Sequence, residues 1–236
     1  MLTLAIETAT ERSSAVLVER GVEMAGWRSR QNRNLCRELA PAITALFQES
    51  GRSFDDLELI CVGLGPGSFT ALRIGLATAK GIALARGVPL VGVSSLAAMV
   101  WQNREATPEL LCPVIDARRG ELYAALFRAK ENVAQQIDGE WVLPPARLAE
   151  RLLQDSEPVA VFGSISSTAQ TEQVRAVFSG AQFVMMEPMF PDAIAVAKLG
   201  CDRFGKSGAD TPASLRPIYV RMSYAEERFD IDLGLR

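Results

Sequence analysis

The chemistry open to this sequence is that of carboxylates, hydroxyls and backbone amides, because its 236 residues include no histidine. The commonest general base and the commonest metal ligand are therefore missing. Three groups of residues remain as chemical candidates. Glu7, with Thr8 and Thr10 close behind, stands at the end of the first apolar run, where a sheet can present a carboxylate to a nucleotide and its metal; a polar turn is the preferred reading. Asp116, Arg118, Arg119, Glu121 and Tyr123 gather charge at one hairpin, which reads as a solvated tip before it reads as a ligand site. Gly65-Pro66-Gly67-Ser68 matches neither of the glycine formulas that specify phosphate. A strand feeding a helix through glycines still aims backbone N–H groups at one point and can hold an anion. The simpler reading, favoured here, is that the glycines permit a turn and Ser68 caps the helix.

These residues need elements to place them. Short apolar runs at 2–6, 15–18 and 22–27 predict three strands in a meander, followed by a helix over 34–49 that ends at Gly51. A buried strand at 59–63 leads through the glycines into a helix over 69–86 capped by Gly87. A strand at 89–93 and a helix reaching Gln102 complete the order β-β-β-α-β-α-β-α, that of a ribonuclease-H-like α/β domain. The polar stretch 103–108 marks a boundary, giving domains 1–105 and 106–236. Strands at 111–115, 122–127, 132–137, 159–162 and 183–186 and helices at 145–153, 166–178 and 193–204 repeat the layout in smaller form. The charged tail from Ala225 reads as poorly ordered.

Composition limits the setting. With 48% hydrophobic and 22% charged residues the chain can bury a sizeable core. A net charge of -3 and a pI near 5.3 leave no electrostatic footprint for non-specific nucleic-acid binding. Cys36, Cys61, Cys112 and Cys201 lie far apart without a C-x-x-C spacing and read as buried free thiols in a reducing compartment. Glu7 interrupts the N-terminal apolar run and argues against a signal peptide. No apolar run approaches the ~18 residues of a membrane span, so the expected address is the cytoplasm.

The two helices around the glycine turn carry the strongest functional signal. Ala71, Gly75 and Ala79, with Thr78 beside them, form a stripe almost free of side-chain bulk, while Phe69, Leu72, Leu76 and Ala83 form a separate face fit for the domain's own sheet. In the preceding helix Leu35, Leu39, Ala42 and Leu46 form one apolar stripe, and Cys36, Ala40, Ile43 and Phe47 a second. A helix covering one sheet needs only one stripe, so the spare faces predict a contact with another subunit. The residues assigned to it are Cys36, Ala40, Ile43, Phe47, Ala71, Ile74, Gly75, Thr78, Ala79 and Ile82.

GPGSFTALRIGLATAKGIA, the opening LAIETAT, DARRGELYAA and the late PIYVRMSYAE together resemble the bacterial TsaB (YeaZ) family over nearly the whole chain. The resemblance implies two ribonuclease-H-like domains of the acetate kinase, sugar kinase, Hsp70 and actin superfamily, the second smaller. It implies a non-catalytic subunit that works with a TsaD-like catalytic subunit and a TsaE-like ATPase to form threonylcarbamoyl-adenosine next to the tRNA anticodon. A homodimer through the same helices, only indirect contact with tRNA, and no cofactor, metal or catalytic residue of its own are expected. In TsaD-like relatives a His-x-x-x-His pair holds the catalytic metal; the resemblance puts Ser95 and Met99 there. Glu7 replaces a common aspartate, Ala9 a phosphate-loop glycine and Ala71 a usual glycine, and Gly163-Ser164-Ile165 is a poor match to the paired glycines that back an adenine. An ATP-dependent acyl or phosphoryl transferase using Asp116 or Glu7 is the alternative, and a peptidase fits least.

Overall fold

The computed structural model describes residues 1–29, 34–105, 108–130, 133–154, 157–165, 168–180, 182–185 and 189–221. The predicted starts of the strand at 132 and the helix at 166, the end of the strand at 186, and the charged tail lie outside these residues.

Continuous apolar runs become central strands. In the first unit β1 (Leu2–Glu7), β2 (Ser14–Glu19), β3 (Val22–Arg28), β4 (Leu59–Gly63) and β5 (Leu90–Val93) form one sheet in the order β3-β2-β1-β4-β5. The hairpin pairs are antiparallel, whereas β1–β4 and β4–β5 are parallel. Both faces of β1 and β4 are covered, which is why they read as unbroken apolar runs. Leu2, Leu4, Ile6, Ile60 and Val62 join the core shared with α1 (Leu35–Ser50) and α2 (Phe69–Arg86). Gly51 and Gly87 end these helices at φ 66° and 65°, the left-handed conformation expected of a C-terminal glycine. The short helix α3 (Ser95–Gln102) follows β5, so the expected element order is found.

The second unit repeats the topology. β6 (Leu110–Asp116), β7 (Leu122–Lys130), β8 (Val133–Leu143), β9 (Val159–Ser164) and β10 (Phe183–Met185) are ordered β10-β9-β6-β7-β8, with α4 (Pro145–Leu152) and α5 (Thr168–Val177) between strands. Its core gathers Leu110, Val114, Leu126, Leu148, Val161, Val174 and Phe178.

The unit boundaries differ from the sequence reading, and the second unit begins at Met99 rather than at 106. The domain expected at 106–236 loses residues 191–217, which cluster with residues 1–98. The cause lies in α6 (Ala193–Ser207), whose buried positions Ala193, Ala195, Val196, Ala197 and Gly200 are small enough to seat it closely on the back of the first sheet. Asp192 caps the helix through the Ile194 N–H and takes two bonds from the Arg28 guanidinium at 2.7 and 3.1 Å. The chain then bridges Asp210 to Leu90, and Lys80 donates to the Leu215 carbonyl at 2.7 Å. The cysteine expectation is corrected too. Cys61 and Cys112 are buried, but Cys36 is exposed and Cys201 only half-buried.

Candidate functional site

Two places on the first unit carry the sequence candidates: the carboxylate at the end of β1, and the helical face formed by α1 and α2.

Glu7 is fully buried. Its Oε1 accepts the Ala9 N–H at 2.7 Å, and its Oε2 accepts the Ser95 hydroxyl at 2.7 Å. Ser95 in turn accepts the Gly65 N–H at 3.1 Å and returns its own N–H to the Gly65 carbonyl at 2.8 Å. Burial pushes the Glu7 carboxyl up to about 7; the Ala9 and Thr8 N–H groups and the Ser95 hydroxyl act against it, and Asp192 adds a smaller upward push. Gly63 has no side chain because the Glu7 carboxylate occupies that space, and Gly67 lies equally close to the Ala9 carbonyl. Ser68 is not a side-chain cap as expected; its N–H instead bonds the Ala9 carbonyl at 2.7 Å. The turn after β1 and the glycine loop are thus folded onto each other, and the Gly65 and Ser68 N–H groups that could face a phosphate already have partners. Those two donors are closed to a nucleotide phosphate. Among the described residues no group of three or more potential metal ligands gathers, and Ser95 and Met99 are both fully buried.

The helical face differs from its sequence reading in a specific way. Ile43 and Phe47 are enclosed with Leu39 and Leu46, and Phe47 stacks against Phe54 at 4.0 Å, so the C-terminal half of the second α1 stripe joins the first in one buried face. Ala71, Gly75 and Ala79 are also enclosed. Thr8 is the reason. Its hydroxyl bonds the Ala71 carbonyl at 2.9 Å, and its side chain fills the space beside Gly75. The stripe of small residues lets α2 lie close to its own β1, and these five residues of the expected contact surface are enclosed within the first unit.

The other five remain accessible. Cys36 and Ala40 are exposed, while Ile74, Thr78 and Ile82 are half-buried. Cys36, Ile74, Arg37 and Thr70 line an open groove of about 500 Å³ between the N-terminal turns of the two helices. Sequence reasoning missed the neighbouring stripe of Ala77, Gly81 and Leu84. These are exposed, Leu84 at 71%. Phe69, expected to face the sheet, is 40% exposed under the Arg73 guanidinium. The i, i+4, i+7 spacing of Ala77, Gly81 and Leu84 was the signal available, but it competes with an equally regular buried stripe.

The charged hairpin is a built turn. Asp116 accepts the Arg118 N–H at 2.7 Å, and Arg118 and Arg119 both take positive φ, 63° and 54°, ahead of Gly120. Arg221 pairs with Glu121 and donates to the Ala117 carbonyl at 3.3 Å, tying a late segment to the hairpin.

A family model described as TsaD, tRNA N6-adenosine threonylcarbamoyltransferase, matches residues 29–207. The tRNA threonylcarbamoyladenosine biosynthesis protein TsaB of Escherichia coli (strain K12) is 32% identical over 229 residues, 95% of this chain and 96% of that protein. The chain belongs to the TsaB (YeaZ) family. TsaB of Bacillus subtilis (strain 168) is 28% identical over 97% of the chain and 98% of its own length. Among solved structures, YeaZ from Pseudomonas aeruginosa superposes with a TM-score of 0.79 over 92% of the chain and 99% of its own, at 24% identity, a likeness of fold. The strings that carry the TsaB resemblance fall on the places described above: LAIETAT on β1 and its turn, GPGSFT and the helix after it on the glycine loop and α2, and DARRGELYAA on the hairpin.

Proposed function

We propose that this chain is a non-catalytic subunit in tRNA threonylcarbamoyladenosine biosynthesis, binding a TsaD-like catalytic subunit that works with a TsaE-like ATPase. The observation that carries this reading is the fate of Glu7. The carboxylate best placed for nucleotide chemistry is enclosed, hydrogen-bonded within the protein and pushed up to about 7, while α2 leaves Phe69 and Leu84 facing solvent. A partner contact would bury them, and a fully buried large apolar side chain contributes about 1.5–3 kcal/mol before the costs of association. The docking surface consists of Cys36 and Ala40 on α1 and Phe69, Ile74, Ala77, Thr78, Gly81, Ile82 and Leu84 on α2. A homodimer through the same face competes with the heterodimer, because one surface cannot serve both. Contact with tRNA is indirect, consistent with the net charge of -3. The work is cytoplasmic; among the described residues no helix is long and apolar enough to cross a membrane.

The test is reconstitution with the cognate catalytic subunit, ATPase and tRNA, omitting each in turn. Modification requires this chain, and Leu84→Arg lowers affinity for the catalytic subunit at least about tenfold, the loss of one buried contact. Turnover of ATP by the isolated chain would overturn the reading, as would normal binding by Leu84→Arg combined with Ala77→Arg.

A further inference from the structure

Two thiols distant in sequence meet on the back of the first sheet. Cys61 lies at the centre of β4, paired with Ala5 of β1 and Val91 of β5, and its side chain points toward α6. Gly200 has no side chain where the Cys61 sulfur lies, so α6 approaches closely and brings the next residue, Cys201, against the same strand. The Thr3 hydroxyl stands 3.5 Å from the Cys201 sulfur. Cys61 is sealed from solvent, but Cys201 is half-buried and can be reached. We propose that Cys201 is a thiol-modification site and Cys61 its resolving partner, so that a small-molecule disulfide converts the pair into an intramolecular disulfide joining α6 to β4.

Local chemistry supports that order of events. The Cys61 thiol donates to the Cys201 sulfur, which holds Cys201 down at about 6 and pushes Cys61 well above the usual thiol range. Thr3 on β1 and Lys198 on α6 act in the same direction on Cys201, while its burial and Asp202 oppose them. Cys201, shifted downward and reachable from solvent, is therefore the thiol that reacts first, and the sealed Cys61 follows. The Cys201 thiolate attacks one sulfur of the small disulfide, whose S–S bond breaks and releases one small thiolate with the bonding pair. Cys61 then loses its proton to solvent and attacks the Cys201 sulfur, displacing the second small thiolate. Two protein thiols are oxidised, and one small disulfide is reduced to two thiols. The product fastens the returning segment 191–217 covalently to the first sheet. None of this depends on the proposed partner.

The experiment treats the full-length chain carrying Cys36→Ser, which removes the exposed thiol, with oxidised glutathione at pH 7. Free thiols are then alkylated and digested peptides are read by mass spectrometry. The expected product joins the peptides of Cys61 and Cys201, with Cys112 alkylated. With Cys61→Ala added, the reaction stops at one glutathione on Cys201; with Cys201→Ser instead, Cys61 takes up none. Free, alkylatable Cys201 in the Cys36→Ser protein after prolonged treatment would overturn the proposal, and so would a glutathione adduct on Cys201 that never resolves while Cys61 is present. The first readout needs neither further variant to fold.

Discussion

Replacing Glu7 by glutamine separates an enclosed carboxylate from one that serves a ligand. The carboxyl is pushed by burial from 4.5 to about 7. The folded state therefore holds this proton in a range where the unfolded chain has lost it. Each pH unit between the two values is worth about 1.4 kcal/mol, so the stability that the neutral acid contributes is complete below pH 4.5 and falls by about 3 kcal/mol as pH rises to 7. Above pH 7 the loss is complete and the curve flattens with respect to this group. In Glu7→Gln the amide oxygen still accepts the Ala9 N–H, the amide NH₂ faces Ser95, and no charge has to be buried. The variant should lack this fall and gain on the wild type as pH increases, to about 3 kcal/mol at pH 8. Urea denaturation in half-unit steps from pH 4.5 to 8 measures this. Trp27 fluorescence in a Trp101→Phe, Trp141→Phe background isolates the first unit, where Trp27 lies on β3. A variant that keeps the wild-type slope, or a wild type that gains stability over this range through Glu7, would refute the reasoning.

Other expected outcomes follow from the same contacts. Ser95→Ala deprives Glu7 of a donor and the Gly65 N–H of its acceptor, so the first unit should lose about 1–3 kcal/mol, with the Glu7 midpoint moving higher in the same titration. Gly75→Ala drives a methyl group into Thr8 and should cost about 1–3 kcal/mol by urea denaturation; Thr8→Ala in the same chain should recover part of that loss, and strict additivity would count against the contact. Leu84→Arg changes an exposed position and should alter stability by about 0.5 kcal/mol or less, leaving circular dichroism unchanged while binding falls.

The correction on α2 explains why the fold was more legible than the site. Helix and strand positions follow from local periodicity, and the glycines at 51 and 87 mark their stops by a conformational preference that needs no tertiary contact. Which side of α2 faces inward is a different matter. Ala71-Gly75-Ala79 and Ala77-Gly81-Leu84 are both regular stripes, and sequence assigns bulk to the buried side by default. Here the buried side takes in the small stripe together with Leu72, Leu76 and Ala83, because Thr8 projects from the turn after β1 and fills the space that the small residues leave. The same logic hid α6: its small buried face reads equally well as packing on the second sheet or the first.

Sequence alone fixed the element order, the duplicated α/β layout, the absence of imidazole chemistry and the glycine loop ahead of a small-residue helix, since each depends on neighbours within a few positions. Tertiary structure decided that Glu7 is sealed by Ser95 and the glycine loop, that Gly75 faces inward while Leu84 faces out, and that Cys61 meets Cys201. Each of those outcomes is a choice between faces made by residues tens of positions away, and periodicity identifies faces without saying what covers them.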